Sequence, residues 1–219
     1  IYPITDKMGV KIPLISYSGA LVLTEEGQEL YSLTMKAEQT AAFLEAVEAH
    51  FPQATVNYYA GHHWFVREAS DPRVVFEMKI TEAVAEVRPF ADCLQAGVLP
   101  HKILLMMEPA DCERAERELQ ALFPALNVVR SAPHLLEIMD ASVNKASGIE
   151  VMLRHFGLEA DESLSFGDNY NDLEMLRYTG TSVAMGNAPQ PVKEAAGAVT
   201  SSNEEDGIYA YLSTHHLID

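Results

Sequence analysis

From Lys145 onward the sequence settles into a strand–helix alternation that leaves few folds open. Helix Lys145–Phe156 closes on Gly157, a natural left-handed cap. Strand Ser163–Phe166, helix Asn171–Tyr178, strand Ser182–Met185, helix Pro191–Ala196, strand Ala198–Thr200 and helix Asp206–His215 follow. Strands separated by single helices of this length run parallel, in a doubly wound, Rossmann-like α/β sheet. Such sheets bind ligands outside the carboxyl ends of their strands.

One strand end stands out. Ser165–Leu176 reads SFGDNYNDLEML: an apolar strand ends in Gly-Asp, a polar turn follows, and a helix opens on Asn-Asp. Asp168 and Asp172 are one helical turn apart, so their carboxylates converge. Two hard oxygen ligands at a strand end suit a magnesium ion, with phosphate supplying further ligands. Capping of the helix by Asp and Asn is the bland alternative. It does not call for Gly-Asp directly after a strand with a second Asp a turn later.

Three other turns resemble this one in kind. Lys145 opens a helix, where its charge opposes the macrodipole, so a bound anion at the helix N-terminus would explain it. A snorkelling surface lysine is the plain alternative. In Met185–Pro189, Gly186 allows close approach of backbone and Asn187 can donate or accept towards a ligand. A plain turn before a Pro-started helix fits that segment equally well. Ser18-Gly19, after the strand Leu14–Tyr17, is a weaker candidate. Asn169 and Asn171 both suit a turn, and Asn171 abuts Asp172.

Composition narrows the partners. The formal net charge is −17, from 32 acidic and 15 basic residues. Such a surface repels phosphate backbones and anionic lipid, which argues against nucleic acid and membranes as partners. Cys93 and Cys112 sit in unrelated contexts without metal spacing, as thiols of a reducing cytoplasm do. His62-His63 and His215-His216 lack the spacing of zinc sites and read as surface or packing residues. Oligomeric state is not legible.

The middle of the chain has another texture. Leu14–Tyr17 and the residues before Thr24 read as strands around a Ser-Gly turn, and Glu25–Gly27 as a hairpin-type turn. Ala37–Phe51 has helical periodicity, and Thr55–Arg67 alternates as two strands around Gly61. His101–Glu108 is a strand, Pro109–Phe123 a Pro-started helix, and Asn127–Arg130 and His134–Met139 two more strands. Tyr58, Tyr59, Trp64 and Phe65 read as core, with a substrate-facing aromatic among them left open. This pattern places an α+β domain at 25–130, inserted into an α/β core formed by 1–24 and 131–219.

These segments resemble the haloacid dehalogenase superfamily of phosphohydrolases, in its Cof-like branch with a large α/β cap. The resemblance rests on VNKASGIEVMLRHFGL, SLSFGDNYNDLEMLR, VAMGNAPQPVKEAA and VTSSNEEDGI, in order from Val143. Leu14–Leu23 is similar to the family's strand and turn before the cap, with Ser18 in place of the usual Asn. The resemblance implies a magnesium-dependent phosphatase of small phosphorylated metabolites. Asp168 would bind Mg2+, and Asp172 would support it in or next to the metal's coordination sphere. Lys145 would hold the phosphoryl group, Asn171 would orient Lys145 or the phosphate, and Asn187, Ser18 and Gly19 would line the site. The cap would select the substrate.

The sequence departs from the family at one point. The family's aspartyl-phosphate chemistry uses an Asp-x-Asp at the end of an N-terminal strand, and no Asp-x-Asp occurs in these 219 residues. The early acid Asp6 lies in ITDKMGV, which resembles a later segment. Two strand–helix units, one with the family's central strand, are therefore expected to be missing from the sequence. Without them a stable monomer is not expected, because a lost central strand exposes unpaired backbone. A non-catalytic phosphometabolite- or magnesium-binding protein and a sugar phosphomutase are the competing functions.

Overall fold

The computed structural model describes residues 5, 7 and 9–218, so Asp6 lies outside the described residues. The chain divides into two compact units, Ile1–Gln28 with Ser32–Val143, and Glu29–Tyr31 with Asn144–Asp219.

In the first unit β1 (Leu14–Ser16) and β2 (Leu21–Leu23) form an antiparallel pair, with Leu14 opposite Leu23. The short β3 (Glu29–Ser32) is where the chain passes between units. Helix α1 (Ala37–His50) leads into β4 (Thr55–Ala60) and β5 (His63–Val66). Then come α2 (Pro72–Thr81), β6 (Glu86–Val87), α3 (Phe90–Gln95), β7 (Lys102–Met106), α4 (Pro109–Leu122), β8 (Leu126–Ala132) and β9 (Leu135–Asp140). Six strands form one mixed sheet in the order β6-β5-β4-β7-β9-β8.

Strand alternation decides which side of that sheet is core. Tyr58 lies opposite Ile103, which lies opposite Ile138, and Val56 lies opposite Leu105, which lies opposite Leu136. These residues are buried together with Phe43 and Val47 of α1, Phe90 and Cys93 of α3, and Ala115 and Leu119 of α4. The aromatics Tyr58 and Phe65 belong to this core as expected. Trp64 points to the other face, where it joins Val66, Val74 and Ala85 in a smaller cluster under α2.

The expected boundary at residue 130 falls inside β8. Both strands of the β8–β9 hairpin are members of the sheet, β9 pairing with β7 from Met106↔Leu135 to Ile103↔Ile138. The sheet therefore continues to Asp140, and the β1–β2 hairpin belongs to the same unit. Hydrophobic alternation in 134–139 shows a strand without showing which sheet it joins.

The second unit follows the sequence pattern closely. Helix α5 (Lys145–Phe156) ends at Gly157 with φ 68°, a left-handed cap. Strands β10 (Leu164–Gly167), β11 (Thr181–Ala184) and β12 (Ala198–Val199) are parallel and adjacent in that order. Between and after them run α6 (Leu173–Tyr178), α7 (Gln190–Ala195) and α8 (Gly207–Thr214). The helix expected from Asn171 begins as a 3-10 turn over Tyr170–Asp172. Leu176, Ala184, Ala188 and Val192 form the local core. Among the described residues β10 has only β11 as a strand neighbour. No described helix is long and apolar enough to cross a membrane.

Candidate active site

The parallel sheet sets where the polar turns meet. Gly167 is opposite Ala184, so the chain leaves β10 and β11 at the same edge, with Asp168 next to one end and Met185 next to the other. The Met185 N–H still donates to the Gly167 carbonyl at 2.9 Å, which ties the two turns together.

Asp172 is the centre of the first turn, 3% exposed. Its Oδ2 accepts from the N–H groups of Asp168 at 2.9 Å and Asn169 at 3.0 Å. Its Oδ1 accepts from the Lys145 ammonium at 2.5 Å. A buried carboxylate must be paired, and here one cation and two backbone donors do so. Gly167 makes the approach possible: a Cβ there would lie 2.7 Å from the Asp172 Cβ. Asn169 caps the 3-10 turn, its Oδ1 accepting from the Tyr170 N–H at 2.8 Å.

Lys145 sits at the first position of α5, behind Asn144, whose Oδ1 accepts from the Ser147 N–H at 2.9 Å. Its place against the helix dipole has a visible reason, since its charge faces the Asp172 carboxylate. The lysine remains partly open, with 30% of its side chain exposed.

Asp168 is exposed beyond the strand end, and its Oδ2 accepts from the Asn187 amide at 3.3 Å. Asn187 in turn accepts the Asn203 N–H at 3.0 Å, so a loop far along the chain fixes its orientation. Gly186 lets that loop in, because a Cβ would lie 2.7 Å from the Ser202 nitrogen. Ser202 and Glu205 form a capping box that shapes the loop. Sequence reading overlooked Asn203, although SSNEE carries the Ser-x-x-Glu signal of such a box.

Lys145, Asp168, Asp172 and Asn187 are thus brought into one hydrogen-bonded group. Asn171 is exposed within the 3-10 turn. Ser18 and Gly19 lie in the first unit, in the turn between β1 and β2, with φ of 55° and 105°. Among the described residues no three His, Cys, Asp or Glu side chains cluster closely enough to hold a metal by themselves. A metal here would need ligands from substrate or water beside the carboxylates.

The chain as a whole is similar to known proteins. The sequence profile of the haloacid dehalogenase-like hydrolases matches residues 1–212. A "putative phosphatase" of Haemophilus influenzae is 34% identical over 212 residues, 97% of this chain and 79% of that protein. The crystal structure of a haloacid dehalogenase-like hydrolase from Bacteroides thetaiotaomicron superposes with a TM-score of 0.86 at 27% identity, covering 98% of this chain and 82% of the other. A subclass IIB sugar phosphatase of the superfamily gives 0.77 at 25% identity, covering 99% and 80%. This chain belongs to the haloacid dehalogenase-like hydrolases, in the phosphatase branch of that superfamily.

Proposed function

We propose that the protein hydrolyses small phosphorylated metabolites in a Mg2+-dependent reaction, with Lys145, Asp168 and Asp172 at the phosphoryl site. The observation that carries this reading is the shared use of Asp172. Its carboxylate holds the Lys145 ammonium on one oxygen and the Asp168–Asn169 backbone on the other. That leaves Asp168 presented at the strand end as a hard oxygen ligand. Mg2+ is commonly held by one or two carboxylates, with phosphate and water completing its shell. Bound there, it would supply charge neutralisation to the phosphoryl oxygens.

The chain's own residues supply the rest. The Lys145 ammonium keeps N–H donors beyond the one given to Asp172, and it holds a phosphoryl oxygen beside the N-terminus of α5. Asp172 acts through Lys145 and the turn, next to the metal ligand. Asn187 steadies Asp168. Asn171, Ser18 and Gly19 stand as substrate contacts on the sequence resemblance alone. Attack on phosphorus by the aspartyl-phosphate route is assigned to no residue of these 219, which contain no Asp-x-Asp. Two free, buried cysteines suit a cytoplasmic enzyme.

The test is p-nitrophenyl phosphate hydrolysis by the full-length natural protein, with magnesium and with a chelator. Turnover lost on chelation and restored by magnesium is expected. Binding of magnesium and phosphate without any turnover would mean a phosphometabolite-binding protein instead.

A further inference from the structure

The loop after β12 reaches Asp168 through one side chain, Asn187. Ala184 pairs with Val199, so β11 and β12 end at the same edge of the parallel sheet. The chain leaving β12 then crosses the end of β11. The Thr200 N–H donates to the Ala184 carbonyl and the Gly186 N–H to the Ser201 carbonyl, each at 3.0 Å.

The partner on the loop decides which way the Asn187 amide points. Asn203 opens a 3-10 turn, Asn203–Glu205, and an N–H at that position has no partner within the turn. It donates instead to Asn187 Oδ1 at 3.0 Å. A backbone N–H can only donate, so the amide oxygen must face Asn203 and the NH2 group must face the Asp168 Oδ2, 3.3 Å away. Both Asn187 and Asp168 are exposed, so water competes for this contact. Without the Asn203 N–H the amide would be free to turn and set its oxygen against the carboxylate. The Asp168 Oδ1 has no protein partner among the described residues, and is left open beside the held oxygen.

Glu205 fixes the Asn203 N–H in turn. Its Oε2 accepts from the Ser202 N–H at 3.1 Å and from the Ser202 hydroxyl at 2.7 Å. The Ser202 carbonyl accepts from the Glu205 and Gly207 N–H groups, both at 3.1 Å. Thr200 Oγ1 donates to the Gly207 carbonyl at 2.7 Å, closing the loop on itself. Gly207 packs so tightly that a Cβ there would lie 2.1 Å from the Ser201 oxygen. An exposed loop held this firmly can aim a side chain on a neighbouring one.

We propose that Asn203 and Glu205 are positioning residues that set the Mg2+ affinity of Asp168, acting through Asn187. Neither touches the metal. Glu205 holds the turn, the turn presents the Asn203 N–H, and that N–H keeps the Asn187 amide donating to Asp168 Oδ2. Partners that orient a ligand govern metal affinity almost as strongly as the ligand itself. The assignment rests on the proposed magnesium-dependent reading of the Asp168 site.

Isothermal titration of the full-length protein with MgCl2 tests it. Asn203→Pro deletes the N–H, while the extended Ser202 (φ −69°, ψ 167°) and the first position of the turn both suit a proline. It should weaken Mg2+ binding about tenfold or more, and Glu205→Ala severalfold. Asn203→Ala keeps the N–H and should bind Mg2+ as the natural protein does. The side-chain amide NMR signals of Asn187, recorded without metal, should move in Asn203→Pro and stay in Asn203→Ala. In turnover, the Mg2+ concentration for half-maximal rate should rise, rather than kcat fall. Unchanged Mg2+ affinity in both Asn203→Pro and Glu205→Ala, or equal weakening in Asn203→Pro and Asn203→Ala, would overturn the proposal. Should the natural protein show magnesium-dependent hydrolysis while Asn203→Pro binds Mg2+ equally well, the phosphatase reading stands and the positioning role falls. Should the natural protein bind no Mg2+, both fall.

Discussion

The two units spend their residues differently. In the first, a six-stranded sheet buries one continuous apolar layer, from Phe43 and Tyr58 through Ile103 to Ile138. In the second, a three-stranded parallel sheet has a small core, and its notable interactions lie in polar turns at the strand ends. Substitutions should therefore separate: those in the second unit's turns change chemistry first, and those in the first unit's core change stability first.

The largest expected effect is on activity. Asp168→Ala should lower kcat/KM of the full-length protein by about a thousandfold or more while leaving its thermal midpoint nearly unchanged, since an exposed carboxylate contributes little to folding. Retained magnesium-dependent turnover would place the metal elsewhere. Asp172→Ala should break the separation, losing both properties. It strands the Lys145 charge and two backbone donors, at about 3–5 kcal/mol in urea unfolding. An unchanged midpoint would show that the buried pair holds nothing in place.

Leu105→Ala sharpens the other side of the comparison. It should cost about 2–5 kcal/mol, because a fully buried leucine leaves a cavity. Phosphatase kcat should stay within a factor of about two, and a drop as large as that of Asp168→Ala would refute the division of labour.

The smallest effect is a pH dependence. Burial holds His101 well below its ordinary pKa, at about 4 in the folded protein. The unfolded chain takes up this proton first, near pH 6.5, so it binds more protons between the two values. The stabilising contribution is complete above about pH 6.5 and declines as pH falls towards about 4, by at most about 1.4 kcal/mol per unit. The urea midpoint of His101→Gln, plotted against that of the natural protein, should flatten across this window.

The sequence revealed the second unit better than the first, for physical reasons. Gly167-Asp168, Asn171-Asp172 and Gly186-Asn187 are local signals, and each turn is built almost wholly from residues within a few positions. The contacts that needed the structure join distant segments: Lys145 to Asp172, and Asn203 to Asn187. Residues 68–100 carried no legible pattern, since β6 has two residues and α3 six, too few to show a period. Asp71 and Pro72 do mark the start of α2, where the Asp71 side chain accepts the Arg73 N–H. The neighbours across the six-stranded sheet were hidden for a similar reason. Tyr59 and Lys102 become neighbours only through strand pairing, and alternation alone does not name a strand's partner.

The contact between Gly167 and Asp172 also limits how this chain can drift. With 2.7 Å between a hypothetical Cβ at 167 and the Asp172 Cβ, even alanine collides with a buried side chain that cannot swing aside. Relieving the clash means moving the turn, and with it the N–H groups that hold the carboxylate. The two positions are thus tied in inheritance: a lineage that changes one must rebuild the other or forfeit the lysine's anchor.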